Sequence, residues 1–451
     1  MDNTLIYHSS SMFVRLLEGL MNTKVHVEGV ENIPVNTTLF VANHFTRSET
    51  FIIPNTIFKH TKKIVRSLAN HKVFINTFGE YLKKLGTISV RDPNRDTIIL
   101  SDLISGRYNW LIYPEGHMIK SKKNSKRDND YFIQTDVSEK KIFTGSAVLA
   151  LKSELLRNRY KELQKSNNKL QLQKFLETYK GIENNDVFID LPTAVVPVTL
   201  TYVPIRAGKN SIMKMAAQFV KELSPRIQEE LEIEGNILLN SEINIHFGKP
   251  IFMDQFLKTC YKTQFGIPYG GHLQDNVLIN QARFKLTREF MEKIYDNILI
   301  HFDHIFATIL FHFTSSTITQ KHFRFLIYMC IQFLHKTEYR LHENISIERS
   351  FLLLLDDENE SFEKILHVCR LQGIVIGEGN RVLKINHKAL HKHCDYHQVR
   401  LINTLLVIKN EVALMQNFVE YVKEICTLDE EIVRKKVFKT LNDAGCSLLK
   451  E

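Results

Sequence analysis

Two short apolar runs each stop abruptly at a polar turn, and this pairing restricts the fold more than any other feature of the chain. Residues 38–42 are followed by Asn43-His44-Phe45-Thr46-Arg47-Ser48-Glu49, and residues 110–113 by Pro114-Glu115-Gly116-His117. Apolar runs of this length bounded by turn residues read as buried strands. In α/β proteins the polar turns at the ends of such strands are where the site is kept. A histidine five positions ahead of a carboxylate can be oriented by it and take a proton from a hydroxyl near neutral pH. Glu115 leaves a buried strand and needs a partner, while Gly116 lets the backbone approach a ligand closely.

Strands and helices alternate around these turns. Residues 25–30, 64–69 and 88–91 read as further strands, and 49–58, 73–85 and 96–106 as helices, with Gly86 as a helix stop. Residues 146–179 have one long helical pattern, lysine- and glutamate-rich from 152 onward, and 190–204 and 244–247 return to strand character. The expected fold is α/β, a mixed sheet flanked by helices. Glycine and proline cluster at 263–271 and mark a boundary. Beyond it the chain is mostly helical, with a short hairpin around residues 378–380 that fits a winged-helix-like unit. The expected domains are 1–265, with an amphipathic helix in 1–24 and a helical elaboration at 152–185, and a mostly helical region at 272–451.

Charge narrows the partners. Lysine and arginine number 59 against 50 aspartate and glutamate, a net +9. That surplus favours phospholipid headgroups, phosphorylated substrates or coenzyme A. Nucleic acid is not expected, because the basic residues are not interleaved with aromatics in a recognition motif. Six scattered cysteines without a Cys-x-x-Cys pair fit reduced thiols in a cytoplasmic setting. Residues 1–4 carry no basic region ahead of an apolar core, so a cleaved signal is not expected. No apolar run reaches the roughly 18 residues a spanning helix needs. Residues 12–21 read as a helix with a wide apolar face, which either dips into a bilayer interface or packs on its own domain. The expected location is cytoplasmic, peripheral on the inner face of a membrane.

Four blocks taken in order resemble the glycerophospholipid acyltransferases that acylate glycerol 3-phosphate, lysophosphatidate and related acceptors. Asn43-His44 through Glu49 is similar to the first, a histidine, four residues and an aspartate. Gly86-Thr87-Ile88-Ser89-Val90-Arg91 resembles the second, and Tyr113-Pro114-Glu115-Gly116 the third. Val195-Val196-Pro197-Val198 resembles the fourth, and Phe247-Gly248-Lys249-Pro250-Ile251 a recurring end-strand. The resemblance covers about residues 20–255. It implies an O-acyltransferase that moves a fatty acyl group from acyl-CoA or acyl-carrier protein to glycerol 3-phosphate or 1-acylglycerol 3-phosphate in phospholipid synthesis. The alternatives are another lipid acceptor, or a non-catalytic membrane-binding protein that keeps the fold. No cofactor beyond the acyl thioester co-substrate and no metal is implied.

The site residues derive from the blocks. His44 is the expected general base and Glu49 its orienting acid, with glutamate where the family usually has aspartate. Arg91 is expected on the acceptor's phosphate, since guanidinium matches phosphate bidentately. Arg47, Glu115 and Gly116 are assigned to the substrate site, and His117 either touches phosphate or caps its turn. The usual threonine and arginine of the third block are replaced by His117 and Met118. The basic run Lys120, Lys122, Lys123, Lys126 and Arg127 is either a solvated loop or a lure for an anionic headgroup. His387, His391, His393, Cys394 and His397 are the only metal-like cluster. No second cysteine pair completes a tetrahedral set, and they read as a polar helix end.

Overall fold

Continuous burial of strands without alternation dictates the centre of this molecule. In the computed structural model, strands β1 (Lys24–Glu28), β2 (Thr38–Ala42), β3 (Val65–Ala69), β4 (Ile88–Ser89) and β5 (Asn109–Ile112) precede a separate three-stranded sheet. That sheet comprises β6 (Asn124–Arg127), β7 (Asp130–Gln134) and β8 (Glu139–Lys141); β9 (Ala194–Val203), β10 (Glu242–Phe247) and β11 (Ile251–Phe252) return to the main one. The structure describes residues 24–71, 83, 86–166, 168–182, 189–206, 208, 210, 214, 224–265, 275–355, 359–378 and 381–443. The helix expected at 12–21, most of that expected at 73–85 and the turn at 379–380 lie outside them.

The main sheet runs β1-β10-β9-β2-β5-β3-β4, with β11 paired to β9. Strands β9, β2, β5, β3 and β4 are mutually parallel, and β10 opposes β9. Every residue of β2, β5 and β9 is buried, as expected for strands covered on both faces. Pro197 sits within β9 where its neighbour changes from β10 to β11, a position that tolerates a missing N–H. Because the central strands are parallel, the turns after β2, β5, β3 and β4 all emerge at one edge. The mixed sheet with flanking helices expected from sequence is the observed architecture.

Helices α1 (Glu49–Thr61), α2 (Arg95–Ser105), α3 (Gly145–Lys165), α4 (Lys169–Thr178), α5 (Pro225–Asn240), α6 (Met253–Phe265) and α7 (Asp275–Asp296) complete this layer. The single helical pattern at 146–179 is two helices. Ser166 ends α3 and the Asn168 side chain accepts from the Gln171 N–H to start α4. The boundary at 263–271 falls mostly on undescribed residues. The helix after it, α7, packs on β9 and α3 and so belongs to the sheet layer. The basic run also differs from a plain loop, since residues 124–127 form β6. Asp128 and Asn129 turn the hairpin to β7 with positive φ of 50° and 64°, a conformation these two residues tolerate better than most.

From Phe302 onward the described chain is mostly helical. Helix Phe302–His312 is its centre, packed by Gln320–Leu334, Thr404–Glu411 and Gln416–Ile425. Strands β12 (Thr317–Thr319), β13 (Val375–Glu378) and β14 (Val382–Ile385) pair in the order β12-β14-β13. Strands β13 and β14 pair antiparallel, as expected of the hairpin. Among the described residues no helix is long and apolar enough to cross a membrane.

Candidate active site

The turn after β2 is rigidly built. Asn43 donates to the Leu200 carbonyl at 3.0 Å and accepts from its N–H at 2.9 Å, so its amide replaces one rung of the sheet. His44 comes next. Its Nδ1 lies 2.8 Å from Oε2 of Glu49, the first residue of α1. Glu49 is fully buried, yet its two oxygens also accept from the N–H groups of Phe45 (2.9 Å) and Thr46 (3.0 Å) and from the Tyr202 hydroxyl (2.6 Å). Four donors thus converge on this carboxylate at the N-terminus of α1. An acceptor-only partner fixes the proton on Nδ1 and leaves Nε2 as the acceptor nitrogen of the ring. The imidazole itself is 14% exposed, enough to meet a substrate.

The turn after β5 supports the first turn. Glu115 is 2% exposed; its Oε2 accepts from the His44 N–H at 2.8 Å and its Oε1 from the Tyr295 hydroxyl at 2.9 Å. Burial pushes its carboxyl up to about 8, against the lowering effect of those two bonds. Glu115 therefore spends both oxygens on holding the His44 backbone and α7. The Tyr113 ring stacks on the His44 imidazole, with centroids 4.1 Å apart and planes 20° from parallel. Gly116 has φ of 68°, a backbone that favours glycine, and a Cβ there would meet the half-exposed Phe143 ring at 2.7 Å. His117 is held below the usual histidine value by partial desolvation and then by the charge of Lys140; the nearby His44 acts in the same direction.

Arg91 lies just past β4, at the same edge of the sheet but three strands from β2. That is roughly 14 Å at about 4.8 Å per strand. It is exposed, and its guanidinium has no acid partner among the described residues. Arg47 is tied to α5 instead: its N–H donates to Glu234 at 2.9 Å and its Nη2 lies 3.0 Å from Glu230. The basic run is divided. Lys120 and Lys122 are buried, Lys122 pairs with Glu411, and its ammonium sits 4.2 Å from the Phe45 ring centroid. Lys126 pairs with Glu292 at 3.0 Å and Arg127 with Glu139, leaving Lys123 exposed.

The structure thus brings together His44, Glu49, Glu115, Gly116 and His117, places Arg47 at the rim on α5, and sets Arg91 farther along the edge. Tyr202, Tyr295, Tyr396, Arg400 and Glu411 also reach the site and were not expected from sequence. The Tyr396 hydroxyl donates to the Met118 carbonyl and accepts from the Lys120 N–H at 2.8 Å. These residues carry no local signal, because each meets its partner from more than 150 positions away. Tyr113 was legible as part of its block but not as the platform for the imidazole. The histidines of 387–397 serve elsewhere: His387 contacts the Ser315 carbonyl at 3.0 Å, and the His391 ring meets Phe311 edge-on.

Residues 24–200 match the Acyltransferase family model. A solved structure similar to the chain is that of the 1-acyl-sn-glycerophosphate (LPA) acyltransferase PlsC from Thermotoga maritima. The two are 13% identical, with 63% of this chain and 78% of that one covered at a TM-score of 0.31, a likeness too slight to bear on the chemistry of this chain. No curated protein matches the chain.

Proposed function

With residues 24–200 matching the Acyltransferase family model, we propose that this chain acylates a hydroxyl of glycerol 3-phosphate or a 1-acylglycerol 3-phosphate from an acyl thioester. The observation that carries the reading is the His44–Glu49 pair, buried on the acid side and open on the imidazole side. Nε2 of His44 takes the proton of the acceptor hydroxyl as its oxygen attacks the thioester carbonyl. The imidazolium so formed is stabilised by Glu49. Collapse of the tetrahedral intermediate breaks the C–S bond, and His44 returns the proton to the departing thiolate. The ester and the free thiol are the products. The thioester is already activated, so no acyl-enzyme is required.

Acceptor binding is assigned to the same sheet edge. Arg91 is free to meet a phosphate, Gly116 leaves room for close approach, and His117 and Arg47 flank the opening. Glu115 acts through His44, fixing the backbone from which the imidazole projects. A lipid acceptor also suits the surroundings, since Phe143 beside Gly116 is 51% exposed and Val137, in the turn between β7 and β8, 81% exposed. Basic residues Lys123 and Lys140 accompany them. We assign this face to peripheral contact with an anionic membrane, by apolar insertion combined with charge attraction.

The test is purified full-length protein with radiolabelled acyl-CoA, or acyl-carrier protein loaded with the same acyl group, against glycerol 3-phosphate, 1-acylglycerol 3-phosphate and lysophosphatidylcholine. Label appearing in a phosphatidate or lysophosphatidate product supports the reading. Transfer only to lysophosphatidylcholine, which has no phosphate monoester, would contradict the acceptor assignment.

A further inference from the structure

Beside the His44 turn, on the side of α5, two cations are buried with donors that the protein does not use. Arg400 is fully buried; its Nε donates to Glu229 at 2.8 Å, while Nη1 and Nη2 have no hydrogen-bond partner among the described residues. Its guanidinium carbon stands 4.5 Å from the ring centroid of Phe45, the residue next to His44. Lys120 is 2% exposed, and its Nζ likewise has no hydrogen-bond partner among the described residues. The nearest acid, Glu230, is 3.6 Å away and is itself held by Arg47, whose side chain is half-exposed. A buried donor without a partner is expensive even where, as here, each cation has a carboxylate neighbour, Glu229 for Arg400 and Glu230 for Lys120. A protein that keeps two such groups side by side has a use for them.

We infer that Arg400 and Lys120 form a binding site for a phosphate group next to the His44 turn, completed by the helical C-terminal region and entered past Arg47 and Glu230. Side-on pairing through Nε leaves both terminal nitrogens of Arg400 as a fork that suits phosphate oxygens. Lys120 supplies the point charge. The Lys120 ammonium is held down to about 8, by burial first and then by Arg400, against the raising effect of Glu230, Glu234 and Glu229 on α5, and a dianion placed between the two cations would raise it further. Arg91, three strands away, is too distant to share this phosphate. The link to turnover rests on the acyl-transfer reading above, whereas binding can be measured without turnover. The shared chemistry is a phosphate monoester, and its source is either the acceptor or coenzyme A.

Calorimetric titration of the full-length protein decides. The probes are inorganic phosphate, glycerol 3-phosphate, glycerol, coenzyme A and dephospho-coenzyme A. Arg400→Gln and Lys120→Met should each weaken a phosphate-bearing probe by about tenfold or more, as expected for loss of a charge-assisted bond, and Lys120→Arg should restore it. If inorganic phosphate and glycerol 3-phosphate weaken, the site takes the acceptor's phosphate in place of Arg91. If coenzyme A weakens and dephospho-coenzyme A does not, it takes the 3′-phosphate of the donor. Titration near pH 8 in buffers of different ionisation enthalpy should show proton uptake in wild type that Lys120→Arg lacks. Folded Lys120→Met protein that binds every phosphate probe as wild type does would overturn the site, whatever becomes of Arg400→Gln. In that outcome both cations are structural struts, and acyl transfer by His44 stands unaffected.

Discussion

Replacing Glu49 with glutamine separates the charge of the acid from its shape. The carboxylate accepts from His44 Nδ1, Phe45 N–H, Thr46 N–H and Tyr202 OH at 2.6 to 3.0 Å. A carboxamide keeps the volume but turns one oxygen into a donor. With the NH₂ facing His44, Nδ1 must become an acceptor and the proton moves to Nε2, where it blocks the base. With the NH₂ facing the other way, the Thr46 N–H is left unpaired and the imidazolium loses its counter-charge. One buried N–H without a partner costs about 1–3 kcal/mol of stability. Loss of tautomer control and counter-charge should lower kcat by about 10³–10⁴-fold, or about 4–5 kcal/mol in the barrier. Stability is read by denaturant unfolding, kcat by release of free thiol, and the tautomer by nitrogen chemical shifts of His44. Glu49→Asp keeps the charge and should fall between wild type and Glu49→Gln. A folded Glu49→Gln enzyme with kcat within a fewfold of wild type would refute the argument that the pair orients the base.

Glu115→Gln should flatten the dependence of stability on pH. The folded carboxyl titrates near 8, above its unfolded value of 4.5, so the native state holds the extra proton and stability falls as pH rises through that window. Between pH 6 and 9 wild type should lose about 3 kcal/mol more than Glu115→Gln in parallel urea titrations; equal losses would refute the assignment. Gly116→Ala should be destabilised by about 1–3 kcal/mol from its left-handed backbone and the Phe143 clash, read from the same titrations. Arg91→Ala should raise KM for a phosphorylated acceptor while leaving that for the acyl donor unchanged, and the reverse pattern would move Arg91 to the donor side. Binding to anionic vesicles should weaken sharply at 1 M salt, where the Debye length is about 3 Å. Retention through both high salt and alkaline carbonate would argue against peripheral attachment.

Much of the sheet and its site edge was legible because period and punctuation are local. Strand β2 has the expected bounds, and β3, β5 and α2 fall within a residue or so of theirs. His44 and Glu49 were legible for the same reason, five positions apart across one turn. Glu115 was legible as a buried acid in need of a partner, but not as a prop for the His44 N–H, because that partner lies 71 residues earlier. The small sheet β6–β8 was hidden by its charge. Strand β6 is Asn-Ser-Lys-Arg, and its side chains find partners in Glu292 and Glu139 that pattern alone cannot supply. The burial of Lys120 and Lys122 was hidden too, since only the folded C-terminal region brings Arg400 and Glu411 to them. Helix α5, which carries Glu229, Glu230 and Glu234, has a start signal in Ser224 and Pro225, an N-cap and first-turn pair, but no local pattern that ties its acids to the His44 turn.

The most direct test of the central claim is single-turnover acyl transfer by His44→Ala, measured with radiolabelled acyl thioester and the phosphorylated acceptor on which wild type is most active. Glu49 stays buried and keeps its Phe45, Thr46 and Tyr202 donors in this variant, so the fold should persist, as checked by circular dichroism. With the base removed, the rate should fall by about 10²–10⁴-fold while acceptor binding is retained. A folded His44→Ala protein that transfers the acyl group at a rate near that of wild type would contradict the account.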